Sequence, residues 1–124
     1  MNHVLVIEDQ KPVRESIGDI LEIAGCHVRL VGDGQAALEA LLETPFQLIT
    51  LDLNMPSLDG LSLLETLTAQ ENPNQQTPIV VISAYLSPAT TETLKLFGVA
   101  NFLSKPFETD ELLKIVRPIL KSDK

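Results

Sequence analysis

Only one of the 124 residues is a cysteine, Cys26, there is no tryptophan, and nine basic residues stand against seventeen acidic ones. A lone cysteine excludes an internal disulfide. A formal charge of -8, with no basic stretch interleaved with aromatics, excludes a non-specific grip on nucleic-acid phosphates or anionic lipid and leaves proteins and small anions as partners. No apolar run approaches the roughly 20 residues that cross a bilayer, so membrane insertion is not expected. The opening MNHVLVIEDQ has neither the basic start nor the long apolar core of a signal peptide, and a cytoplasmic location is the expectation. Phosphate-loop motifs are missing too: without GxxxxGKS/T or GxGxxG, neither ATP nor a dinucleotide is the expected phosphate source. No metal-ligand spacing joins Cys26, His3 and His27, which read as structural or exposed. The length, with 44% apolar and 21% charged residues, suits one domain over 1–124, without repeat or linker.

What the chain does have is alternation. VLVIE (4–8), HVRLV (27–31), LITL (48–51), IVVIS (79–83) and NFLS (101–104) are predicted strands, rich in Val, Ile and Leu and too short for helices. Between the first two, Val13, Ile17, Ile20, Leu21 and Ala24 share a helical face, with Pro12 near the first turn and Gly25 just past the end. A second helix is predicted over 34–43, where Ala37, Leu38, Leu41 and Leu42 share a face. A third runs over about 60–70 on Leu63, Leu64 and Leu67, started by an Asp59-Gly60 turn. The last, about 108–120, buries Leu112, Val116, Ile119 and Leu120, and Pro118 strains its final turn. SPATTETLKLFG is the weak helix: Ser87 caps it and Pro88 fits its first turn, but its large apolar residues are only Leu94, Leu96 and Phe97. The 69–78 segment, AQENPNQQTP, reads as a flexible surface connection.

Strict βα alternation implies an α/β fold, a doubly wound five-stranded parallel sheet in the order 2-1-3-4-5 with five flanking helices. In such sheets ligands bind at the carboxyl ends of the strands. Glu8 and Asp9, Asp52, Ser83, and Ser104, Lys105 and Pro106 stand at the predicted ends of strands one, three, four and five. Crowded hard oxygen ligands suit a divalent cation, with Asp9 and Asp52 as direct ligands. Lys105 and Ser83 offer a point charge and a hydroxyl to phosphate oxygens. Asp52 is the natural nucleophile toward phosphorus, because aspartyl phosphates are a known covalent class and a carboxylate needs no added base.

These residues, in this order, resemble the receiver domain of two-component response regulators, including its single-domain chemotaxis type. The likeness is carried by Glu8-Asp9 after VLVI, by LDLNMPSLDG around Asp52, by ISA at 82–84 and by LSKPF at 103–107, and it covers nearly the whole chain. It implies that Asp52 accepts a phosphoryl group from a phosphohistidine on a sensor histidine kinase or histidine phosphotransfer protein, and that a downstream output protein or domain reads the result. It implies Mg²⁺, or Mn²⁺, held by Asp9, Asp52 and the backbone carbonyl of Asn54, with Glu8 assisting through water. It implies that Lys105 contacts the phosphoryl oxygens after a cis peptide before Pro106, and that Ser83 and Phe102 are the switch residues remodelling the surface of helix four, strand five and helix five. Glu8 stands where many members have Asp, and Phe102 lacks the hydroxyl of the tyrosine variant. Tyr85, two residues after Ser83, is bulky enough to shield an acyl phosphate. Two other functions fit less well. A small aspartate-nucleophile phosphatase would want an acid two residues after Asp52, where Asn54 stands. An unphosphorylated interaction module would not need Asp9, Asp52 and Lys105 together.

Overall fold

The computed structural model describes residues 2–55 and 58–121. The five apolar runs form parallel strands β1 (His3–Ile7), β2 (His27–Val31), β3 (Leu48–Leu51), β4 (Ile79–Ser83) and β5 (Asn101–Ser104). They lie in the order β2-β1-β3-β4-β5, as the alternation predicts. The helices are α1 (Lys11–Ile23), α2 (Gly34–Glu43), α3 (Gly60–Ala69), α4 (Pro88–Leu96) and α5 (Thr109–Lys121). Because successive strand residues point to opposite faces, the apolar side chains sort into two cores. Val4, Val6, Leu48, Val80, Ile82 and Leu103 meet Ile17 and Leu21 of α1 and Leu112 and Val116 of α5. Leu5, Ile7, Ile49, Leu51 and Val81 meet Leu41 of α2, Leu63 of α3 and Leu94 of α4. Strand β3 is buried along its whole length, as a central strand covered on both faces must be, whereas the edge strand β2 exposes His27, Arg29 and Leu30.

Helix ends follow their sequence signals. Asp33, Asp59 and Ser87 each accept a backbone N–H from the first turn of α2, α3 and α4. Gly25 and Gly98, at φ 89° and 87°, let α1 and α4 close with a left-handed residue, and the N–H groups of Cys26 and Val99 then reach back to the carbonyls of Leu21 and Leu94. The weak helix is weak in the expected way: Leu94 is its one fully buried residue, and Leu96 is 87% exposed. Leu42 departs from expectation. It lies about 100° around the helix from Leu41 and faces outward, so α2 packs on Ala37, Ala40 and Leu41. In α5, Leu113 is buried and Ile119 only partly so. Strand β1 stops at Ile7 rather than Glu8, although the Glu8 N–H still donates to Val31 O at 3.1 Å. Asn54–Met55 pairs antiparallel with Leu58–Asp59, a two-residue ladder too short to leave a periodicity in the sequence.

The 69–78 connection runs over the surface as expected, but it is not loose. It is pinned by Asn74, which is 2% exposed. The Asn74 Nδ2 donates to the carbonyls of Leu41 and Thr44 at 2.7 Å each, and its Oδ1 accepts the Phe46 N–H at 2.8 Å and the Thr77 hydroxyl at 3.1 Å. Leu41 O is one of the carbonyls that the end of α2 leaves without a helical partner, so one amide side chain both caps that helix and steers the chain into β3. Composition marks such a segment as polar but does not show where its polar groups are satisfied. Replacing Asn74 with Ala leaves two buried backbone groups and one part-buried one unpaired and should lower stability by about 3 kcal/mol, read as a reduced urea midpoint with the slope unchanged. A loss within experimental error of zero would mean that the loop is free after all.

Candidate functional site

Strand register builds the site. Ile7 lies beside Leu51, and Leu51 beside Val81. Glu8 and Asp52, the next residues along, therefore leave the sheet edge as neighbours, and the Asp52 N–H donates to Ile7 O at 3.1 Å. Ser83 pairs with Ser104, and the Lys105 N–H donates to Ser83 O at 2.9 Å, which brings Lys105 to the same edge. Parity then decides which way each side chain points. Glu8 follows Val4 and Val6, Asp52 follows Leu48, and Lys105 follows Leu103, all at two-residue steps, so the three emerge on the α1 and α5 side. There Lys105 Nζ lies 2.7 Å from Glu8 Oε1 and 3.3 Å from Asp52 Oδ2. The Lys105-Pro106 peptide is cis.

Glu8 and Asp52 are buried and Asp9 half-buried, and one carboxylate oxygen from each lies within 4.8 Å of the others. Such a set of hard, anionic oxygens fits a divalent cation of the Mg²⁺ type. Burial pushes the Glu8 carboxyl above its ordinary pKa; the hydrogen bond from Lys105 opposes this, and the charge of Asp52 adds to it. Burial alone would lower Lys105, but its hydrogen bond to Glu8 and the charges of Asp52 and Glu8 outweigh it and raise the ammonium above the usual lysine value. Backbone donors complete the acids: the Gln10 N–H reaches Glu8 Oε2 and the Asn54 N–H reaches Asp52 Oδ1, each at 3.2 Å.

Ser83 stands differently. It has the parity of Val81, its side chain is fully buried, and its Oγ accepts the Asn54 amide at 3.2 Å and the Tyr85 N–H at 3.3 Å. The hydroxyl thus joins the acids through the Asn54 side chain rather than by touching Asp52. Phe102, the register partner of Val81, packs against the core under α2, α3 and α4 and takes no part in the acidic cluster. Tyr85 is 77% exposed. Two contributors escaped the sequence reading: the bond of the Asn54 amide to Ser83, and Arg14, whose Nη1 donates to Glu8 O at 2.9 Å and Asp9 O at 3.3 Å. An arginine in the first turn of the helix after an acidic pair was a visible signal for the second.

The chain matches the family described as response regulator receiver domain over residues 4–117. It is 37% identical over 120 residues to the transcriptional regulatory protein FixJ of Bradyrhizobium diazoefficiens, covering 96% of this chain and 57% of that protein, so it spans little more than half of that relative. The receiver domain of Francisella response regulator 1452 superposes with a TM-score of 0.87 at 35% identity, over 100% of both chains. The receiver domain of the sensor histidine kinase PA1611 from Pseudomonas aeruginosa, solved with a magnesium ion coordinated in its active-site cleft, gives a TM-score of 0.84 at 29% identity, over 97% of this chain and 98% of that one.

Removing the ammonium while keeping the stem isolates its electrostatic role. Lys105→Met should destabilise the protein by about 3 kcal/mol at pH 7, because it leaves the Glu8 charge buried without its partner. The deficit should shrink toward pH 5. The Glu8 pKa, already raised by burial, rises further without the lysine, so the folded variant binds a proton that its unfolded chain has yet to take up. Urea titrations at the two pH values measure the gap, and a deficit that grows on acidification would contradict the assignment.

Proposed function

This chain belongs to the response regulator receiver domain family, and from that premise we propose that Asp52 is its phosphoacceptor and that residues 1–124 form one receiver domain. The observation that carries this reading is the part-buried ammonium of Lys105 shared between Glu8 and Asp52 at an edge where Asp9 supplies a third carboxylate. Asp9, Asp52 and the backbone carbonyl of Asn54 would hold Mg²⁺, with Glu8 acting through water, and Mn²⁺ would serve in its place. When bound, the cation supplies positive charge against the carboxylates and the incoming phosphoryl oxygens.

The chain's own groups do the rest. A carboxylate oxygen of Asp52 attacks phosphorus in line, the P–N bond of a phosphohistidine breaks, its electron pair stays on the imidazole, and an O–P bond to Asp52 forms. Lys105 then exchanges Asp52 for a phosphoryl oxygen while keeping Glu8. The Ser83 hydroxyl leaves Asn54 and turns toward the phosphoryl group. Phe102, on the same face as Ser83, follows, and the surface of α4, β5 and α5 changes. Receiver domains are phosphoacceptor signalling modules, and Asn54, whose amide is bonded to Ser83, offers no proton to a leaving group; we infer a protein that catalyses its own phosphorylation and dephosphorylation without turning over a separate substrate. The phosphodonor would be a sensor histidine kinase or a histidine phosphotransfer protein, and the reader of the switched surface a downstream output protein or domain. With such a phosphodonor we propose a cytoplasmic location; among the described residues no helix is long and apolar enough to cross a membrane.

Acetyl phosphate with Mg²⁺, followed by intact mass, tests the reading. The protein should gain one phosphoryl group at a hydroxylamine-sensitive site, and Asp52→Asn should fold yet gain none. Labelling of Asp52→Asn at such a site, or none of the parent protein, would refute it. Ser83→Ala should still be labelled but lose most of the spectral change at α4 and Phe102 seen by NMR; a full change in that variant would remove Ser83 from the switch.

A further inference from the structure

Glu8 and Asp9 sit in the connection between β1 and α1; strand parity sends the Glu8 side chain to the α1 and α5 side, but it does not hold the backbone of the connection, so something else must fix where the two carboxylates meet. We propose that Arg14 is the positioning residue of this connection: its guanidinium clamps two consecutive carbonyls and thereby sets where the Glu8 and Asp9 carboxylates meet a divalent cation. The proposal rests on the reading of the acidic cluster as a cation site.

Arg14 Nη1 donates to Glu8 O at 2.9 Å and to Asp9 O at 3.3 Å, while the Arg14 N–H donates to Gln10 O at 2.8 Å. One residue in the first turn of α1 therefore holds the connection by three successive carbonyls. The acid side chains are left free for other partners: Glu8 Oε1 takes Lys105, Glu8 Oε2 takes the Gln10 N–H, and among the described residues Arg14 forms no ion pair. The seat for the guanidinium is made by Gly32, where β2 runs into α2. A Cβ at that position would stand 2.4 Å from Nη1 and 3.2 Å from Cζ, and the positive-φ glycines are Gly25 and Gly98, so at Gly32 glycine supplies space rather than backbone freedom. Residues 14 and 32, which neither sequence motif nor cation chemistry connects, thus converge on one contact.

The two roles open to this arginine have opposite signs. As a bare positive charge near the site, it would repel a cation, and its removal would tighten binding. As a clamp holding two ligands in place, its removal loosens binding, and groups that orient metal ligands are typically worth roughly tenfold or more in affinity. Mn²⁺, titrated by electron paramagnetic resonance into the full chain, separates these cases. Arg14→Ala and Gly32→Ala should each weaken Mn²⁺ binding by about tenfold. The double variant should be no weaker than Arg14→Ala alone, because both changes remove the same contact. In metal-free protein both variants should also speed hydrogen exchange of the Gln10 amide, whose bond to Glu8 depends on the connection staying in place. Gly32→Ala retains Arg14 and its charge, so it tests the clamp even if Arg14→Ala fails to fold. Unchanged or tighter Mn²⁺ binding in a variant that melts like the parent, or additive losses in the double variant, would overturn the proposal. Parent protein and Asp9→Asn that bind Mn²⁺ equally would instead refute the cation-site reading on which it stands.

Discussion

One ammonium holds the functional edge together. Glu8 is 1% exposed and Asp52 6%, and two carboxylates so placed would each carry a desolvation penalty and repel each other without Lys105 between them. The lysine arrives 97 residues after Glu8 and 53 after Asp52, so the ion pair forms only when β1, β3, β4 and β5 are aligned. A slip of one residue in β1, β3 or β5 would turn its terminal side chain to the opposite face and leave a charge buried without a partner. The charged site therefore reports the correct fold as well as using it.

Parity divides the edge into two parts with different surroundings. Glu8, Asp52 and Lys105 emerge on the α1 and α5 side, beside the exposed Pro12 and Pro106 and the half-exposed Val13 and Phe107. Ser83 and Phe102 belong to the face under α2, α3 and α4. At the rim, Asn54 joins the first part to the second through its bonds to Asp52 and Ser83. That link is two weak hydrogen bonds and no packed side chain, a connection that can be remade without disturbing either core.

The fold was largely legible because strands this short and apolar, alternating with capped helices, leave few arrangements that bury both faces of the sheet. The acids and the lysine were legible for the same reason: once strand order is granted, the carboxyl ends must meet. What escaped the sequence was whatever depends on a single side chain satisfying distant backbone. Asn74 looks like one more polar loop residue until the unpaired carbonyls of Leu41 and Thr44 are beneath it. Arg14 and Gly32 carry no joint signal, since their contact spans two connections. Leu42 and Leu96 were counted as apolar but face water, because hydrophobicity along a helix fixes a stripe only to within one residue on either side.

Magnitudes indicate which element is free to move. Helix α5 buries Leu112, Leu113, Val116 and Leu120, and displacing it would expose four large side chains at about 2 kcal/mol each. Helix α4 buries only Leu94 completely, so a shift that partly uncovers it costs about 2 kcal/mol at most by the same measure. Releasing Ser83 from Asn54 adds about 1 kcal/mol. On the proposed reading, Lys105 trades its bond to Asp52 for one to a phosphoryl oxygen with little net gain, so the new charge-assisted hydrogen bond is that from Ser83, worth roughly 1.5–3 kcal/mol. That gain is comparable with the cost of moving α4 and well short of the cost of moving α5. The sparse apolar content of SPATTETLKLFG is therefore the property that brings α4, alone among the helices flanking β4 and β5, within reach of a single phosphoryl group.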